Sequence, residues 1–143
     1  MHLGSLLQAG DVVLLNGDLG AGKTTFTQGL ASGWGSFETA LSPTFVLINQ
    51  YSRADGSHFH HLDAYRLQNA LDAEDLDMDM LLEDGVLVVE WAERIRSALP
   101  EEALDLKFSW VADEQRSILL KPKGTRYKKL VKTFQNDTFK GMM

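Results

Sequence analysis

The eight residues Gly17-Asp-Leu-Gly-Ala-Gly-Lys23-Thr24 constrain this chain more than any other stretch. Just before them, Asp11-Val-Val-Leu-Leu-Asn16 is a short apolar run, rich in β-branched residues, that ends at Gly17. Just after, Thr24-Thr-Phe-Thr-Gln-Gly-Leu-Ala-Ser32 reads as a helix stopped by Gly33 and Gly35. Strand, glycine loop and helix follow in that order, with G-x-x-x-x-G-K-[ST] across the junction, which is the arrangement that folds backbone N–H groups around nucleotide phosphates. The chain is therefore predicted to bind a nucleoside triphosphate.

Each residue type in the loop has a physical task. Gly17, Gly20 and Gly22 permit backbone angles that residues with a Cβ avoid, and together with Ala21 they bring amides close to phosphate oxygens. The helix behind them adds the positive end of its dipole. Lys23 is predicted to place a point charge on the β- and γ-phosphates, Thr24 to offer its hydroxyl to Mg²⁺, and Thr25 to reach the α-phosphate.

Length and composition set the limits around this site. A chain of 143 residues with 44% hydrophobic content makes one core and leaves no room for a second catalytic domain. No stretch approaches the ~18 apolar residues of a membrane span. Met1-His-Leu-Gly lacks the charged start and apolar centre of a signal peptide, so the cytoplasm is the expected location. The absence of cysteine excludes disulfides and thiolate metal sites. Charge is unevenly divided: residues 1–120 hold 7 Lys+Arg against 19 Asp+Glu, a balance of −12, whereas the last 23 residues carry +6. The expected organisation is an ATPase domain over 1–121 and a basic tail over 122–143. That tail is read as a poorly ordered, solubilising terminus, with contact to RNA or an acidic partner as the alternative.

Between these ends the pattern alternates. Thr44-Phe-Val-Leu-Ile-Asn-Gln-Tyr-Ser52 and Ser57-His-Phe-His-His-Leu-Asp-Ala-Tyr65 flank the turn residues Ala54-Asp-Gly56 and read as a β-hairpin. Residues 70–84, with apolar positions at Leu71, Leu76, Met80 and Leu81, look like an acidic amphipathic helix ending near Gly85. Val86-Leu-Val-Val-Glu-Trp91 fits a strand buried on both faces, and residues 92–99 a short helix closed by Pro100. Residues 104–111 and 116–121 form a second predicted hairpin.

A bound triphosphate with Mg²⁺ needs further oxygen ligands and a group that orients water, and these sit at the carboxyl ends of strands beside the loop. Asp63 and Glu90 meet that description, since Asp63 follows the run His58-Phe-His-His-Leu62 and Glu90 ends the apolar run from Val86. A carboxylate at the end of a buried strand is costly unless it faces a cation or a donor. Thr44, after Pro43, is a candidate switch-loop hydroxyl for Mg²⁺ or the γ-phosphate, and Trp91 either packs on the sheet or walls the site. His58, His60 and His61 do not form a zinc site, because a strand turns His61 away from the other two and no cysteine is near.

Taken together, the glycine loop, Ser42-Pro-Thr-Phe45, His61-Leu-Asp-Ala-Tyr-Arg66 and Val89-Glu-Trp91 give a chain that resembles the TsaE (YjeE) family of small bacterial ATPases over about residues 10–121. The resemblance implies an α/β P-loop NTPase three-layer sandwich, with parallel core strands and antiparallel hairpins in a mixed sheet. It further implies ATP/ADP and Mg²⁺ as ligands and a role in making N6-threonylcarbamoyladenosine (t6A) at position 37 of tRNAs reading ANN codons. The implied partners are the proteins TsaD and TsaB, with tRNA reached only indirectly through the complex. On that basis Gly20 through Thr25 hold the phosphates, Thr24 and Glu90 the Mg²⁺, and Asp63 is the Walker-B-like carboxylate. Two other readings share the loop: a small-molecule or nucleoside kinase, which needs an acceptor site and an arginine-bearing lid, and a nucleotide-gated binding module. The six arginines are scattered, and Arg66 is the one near the site.

Overall fold

Val12, Val13, Leu14 and Leu15 are all buried, and a strand of that kind needs cover on both faces. The computed structural model describes residues 2–17, 23–36, 48–64, 78–112 and 115–141. Its elements are α1 (His2–Ser5), β1 (Val12–Gly17), α2 (Lys23–Trp34), β2 (Ile48–Ser52), β3 (His58–Asp63), α3 (Met78–Glu83) and β4 (Gly85–Glu90). A 3-10 helix (Ala92–Ala98), β5 (Ala103–Ala112), β6 (Gln115–Lys123) and α4 (Thr125–Gly141) complete the order.

Six strands form one sheet in the order β2-β3-β4-β1-β5-β6. β1 pairs in parallel with both β4 and β5, and β3 pairs in parallel with β4. β2 and β6 turn back antiparallel at the two edges as the outer arms of hairpins. This is the mixed sheet predicted from the sequence, with β1 near its centre.

Strand alternation distributes the core over two faces. Val13, Leu15, Phe59, Val86, Val88, Leu104, Leu106 and Phe108 join Leu3 of α1, Leu7 shortly after it, and Leu30, Ala31 and Trp34 of α2. On the other face Val12, Leu14, Leu62, Leu87 and Val89 meet Ala92, Ile95 and Leu99, with Met78, Leu81 and Leu82 half-buried beside them. Helix, sheet and helix make three layers.

Three expectations change. The helix after the loop runs through Gly33 and ends at Trp34, because the left-handed turn that stops it is at Gly35, φ 115°. Met80 is 60% exposed, and α3 turns Met78 and Leu82 inward beside the expected Leu81; the part of the predicted helix before residue 78 lies outside the described residues. Most significantly, the basic end is a docked helix and not a loose tail. Tyr127, Leu130, Val131 and Phe134 recur at i, i+3, i+4 and i+7, and this stripe packs on the first core cluster while Lys128, Lys129 and Lys132 face water.

Polar contacts fix that helix to the start of β1. The Val12 N–H donates to the Tyr127 hydroxyl at 2.9 Å. Arg126 donates to both oxygens of buried Asp11, at 3.0 and 2.7 Å, and to the Leu6 carbonyl at 2.9 Å. The Asp11 carboxylate in turn raises the Arg126 pKa above its ordinary value, and burial raises that of Tyr127. His2 stacks on Phe134 from the opposite end of the chain.

Candidate functional site

Because β1, β3 and β4 run parallel, their carboxyl ends share one edge of the sheet. The register sets Asp63 opposite Glu90, and Glu90 opposite Leu15 two residues before Gly17. On the other side of β1, Gly17 lies opposite Phe108 of β5. Gly17 has φ 126°, and a Cβ there would run into the Phe108 carbonyl, so both its backbone angle and its lack of a side chain are required. From this edge the chain leaves β1 and begins α2 at Lys23.

β4 is tied to the same edge. The Trp91 N–H donates to the Leu15 carbonyl at 3.0 Å. Trp91 then adopts a left-handed conformation, φ 59° and ψ 39°, the sole positive φ outside glycine among the described residues. The turn redirects the chain into the 3-10 helix, where the Glu93 N–H donates to Asn16 Oδ1 at 3.2 Å. Strain of this type costs about 1–3 kcal/mol and persists where surrounding contacts impose it.

The residues singled out from sequence are distributed as follows. Glu90 is buried, at 4% exposure, on the face covered by α2, and half-buried Asp63 shares that face from β3. Lys23 and Thr24 open α2, and Thr25 is exposed in its first turn. Trp91 is half-buried and its ring packs on the opposite face of the sheet, with Ala92 and Ile95. Gly20, Ala21, Gly22, Thr44 and Arg66 lie outside the described residues.

In the sequence His61 opens the motif His61-Leu-Asp-Ala-Tyr-Arg66 and is excluded from a zinc site, but nothing there pairs it with Glu90. His61 Nε2 lies 2.5 Å from Glu90 Oε2, and both side chains are almost wholly buried. Strand alternation carried the signal: Phe59, His61 and Asp63 share a face of β3, and the parallel register aligns His61 with Val88 on the face that also bears Glu90. The other two histidines point elsewhere. His58 and His60 stand 5.9 Å apart, with His58 3.7 Å from Asp84, and burial pushes the His60 imidazole below its ordinary pKa.

The family model for the threonylcarbamoyl adenosine biosynthesis protein TsaE matches residues 1–118. The chain belongs to the TsaE family. It is 46% identical over 132 residues to the tRNA threonylcarbamoyladenosine biosynthesis protein TsaE of Streptomyces coelicolor, covering 88% of this chain and 89% of that one. It is 43% identical over 123 residues to the protein of the same name from Bacillus subtilis, covering 85% and 75%. The crystal structure of Bacillus subtilis YdiB superposes with a TM-score of 0.76 at 35% identity, over 96% of this chain and 85% of that one. The TsaE match takes in β1 through β5 and enters β6, and therefore spans every candidate site residue. Among the described residues no helix is long and apolar enough to cross a membrane.

Proposed function

We propose that this chain is the ATP-binding and ATP-hydrolysing member of a t6A-forming system, acting with TsaD and TsaB on tRNAs that read ANN codons and touching tRNA only through them. The observation that carries the reading is the placement of Glu90, a carboxylate buried at the carboxyl end of β4, next to the strand that feeds the glycine loop and α2. In an α/β sheet that edge is where ligands bind.

The donor chemistry suits Mg²⁺ with a nucleotide. Glu90 is a hard oxygen donor, α2 presents its positive end, and the cysteine-free chain supplies no soft thiolate. In this reading Thr24 and Glu90 hold the metal, and Lys23 with the amides of Gly17 and Gly20 to Thr25 holds the phosphates. Asp63 orients the attacking water and Thr44 senses the γ-phosphate, while the Trp91 ring packs on the far face of the sheet, and its turn redirects the chain away from Glu90. When bound, Mg²⁺ offsets the negative charge that gathers on the phosphate oxygens. The protein's own task is to align groups on a rigid sheet edge and to exclude water around them. A group worth 10³–10⁵ in rate, of the arginine-finger type, is left for a partner to supply.

Nucleotide titration of wild type and Lys23→Ala, with and without TsaB and TsaD, tests this. Wild type binds ATP and turns it over slowly until the partners are added, and Lys23→Ala does neither. Turnover by the isolated chain at about 10 per second or faster, in the ordinary range for enzymes, would exclude partner coupling. A phosphorylated small-molecule product would favour a kinase instead.

A further inference from the structure

We infer that His61 is a positioning residue for Glu90. It donates from Nε2 to Oε2 and thereby fixes the plane in which the carboxylate meets Mg²⁺ and nucleotide. The inference rests on the reading of Glu90 as a metal-facing carboxylate.

Three observations converge on the pair. First, the contact, at 2.5 Å, joins two strands through side chains 29 residues apart in sequence. Second, the side chains of His61 and Glu90 are only 6% and 5% exposed, so neither can exchange this partner freely for water. As a metal-facing carboxylate Glu90 offers acceptors alone, so in this reading the hydrogen belongs to the histidine nitrogen. Third, the scaffold beneath His61 is rigid. β3 is paired on both edges, by β2 and by β4, and Phe59 on the same face packs against Trp34 at 5.7 Å and Tyr51 at 5.7 Å.

A planar ring on a doubly paired strand cannot follow a swinging carboxylate, so the contact restricts Glu90 instead. Hydrogen-bond partners of metal ligands act in this way, and their loss typically costs 10–100-fold in metal affinity or activity. His61 also precedes Asp63 by two residues on one face of the strand, so one backbone segment sets the position of both carboxylates.

The test compares His61→Leu, which fills the space without a donor, with His61→Gln, whose amide takes the place of Nε2. A fluorescent ATP analogue is titrated against the full chain at graded Mg²⁺ concentrations and again in chelator, with the melting temperature recorded for each variant. His61→Leu should raise the Mg²⁺ midpoint for nucleotide binding about 10–100-fold with metal-free affinity unchanged, and His61→Gln should restore most of it. Glu90→Gln should shift the midpoint by itself, and adding His61→Leu to it should do nothing further. Should the leucine chain not fold, His61→Asn, too short to reach Oε2, takes its place with the same expected shift. A lower melting temperature with an unmoved Mg²⁺ midpoint, while Glu90→Gln still shifts it, would reduce His61 to a structural contact. An unmoved midpoint in Glu90→Gln would instead remove the metal-facing role of Glu90, and the inference with it.

Discussion

Replacing Tyr127 with Phe removes one oxygen atom and keeps the ring, which isolates what holds α4 to the sheet. The Val12 N–H is buried, with its residue 1% exposed, and donates to the Tyr127 hydroxyl at 2.9 Å. In the phenylalanine variant that donor keeps its burial and loses its acceptor, a change that costs about 1–3 kcal/mol. For a chain of this length each kcal/mol moves the melting temperature by about 3 °C, so a drop of about 3–9 °C is expected. Scanning calorimetry measures it, and hydrogen exchange adds a local check, since the Val12 amide should lose protection relative to its neighbours. Lys128→Ala, one residue away on the exposed face of the helix, is the control and should stay within about 0.5 kcal/mol of wild type. If Tyr127→Phe melts with wild type, the C-terminal helix is not anchored through this bond and the argument for its docking is wrong.

Two further perturbations probe other parts of the fold. Gly17→Ala sets a Cβ against the Phe108 carbonyl at a left-handed φ, so it should lose at least about 1–3 kcal/mol in a urea titration and bind nucleotide poorly; wild-type stability would mean the kink at the end of β1 is not needed. Burial holds the folded-state pKa of His60 below the ordinary 6.5, so the unfolded chain takes up a proton that the folded one resists. Stability on this account is full above pH 6.5 and falls as pH drops through that value, by up to about 1.4 kcal/mol per pH unit. His60→Leu should flatten the decline in denaturant melts between pH 7 and 5, and an unchanged slope would refute the assignment.

Much of this architecture was legible because local signals agreed with tertiary ones. The apolar run within 11–16 predicted a strand and that over 86–91 a strand buried on both faces, and all of β4 is buried. Ala54-Asp-Gly56 marked the turn between β2 and β3, which pair antiparallel with Ile48 opposite Leu62. What escaped depended on partners distant in sequence. Nothing local says that β1 lies between β4 and β5, since that order follows from how three separate segments share one core. The C-terminal helix is obscured by its charge: five of its residues are Lys or Arg, and the stripe Tyr127, Leu130, Val131 and Phe134 gains its value only from a core whose other members, such as Leu3, Leu7 and Val13, lie more than a hundred residues earlier. Around the candidate site, the positions of Gly17, Asp63 and Glu90 at the ends of β1, β3 and β4 were readable from motif and pattern. The His61–Glu90 pair needed the register between β3 and β4, a property of the sheet and not of either strand.

Glu90 bears the central claim, that a carboxylate buried at the sheet edge serves a nucleotide cycle completed by other proteins. The most direct measurement is ATP hydrolysis by wild type and Glu90→Gln in the presence of TsaB and TsaD, with binding to those partners recorded on the same samples. The account predicts that the partners accelerate wild type, and that Glu90→Gln still binds them but does not cycle. Hydrolysis by Glu90→Gln at the wild-type rate would contradict it.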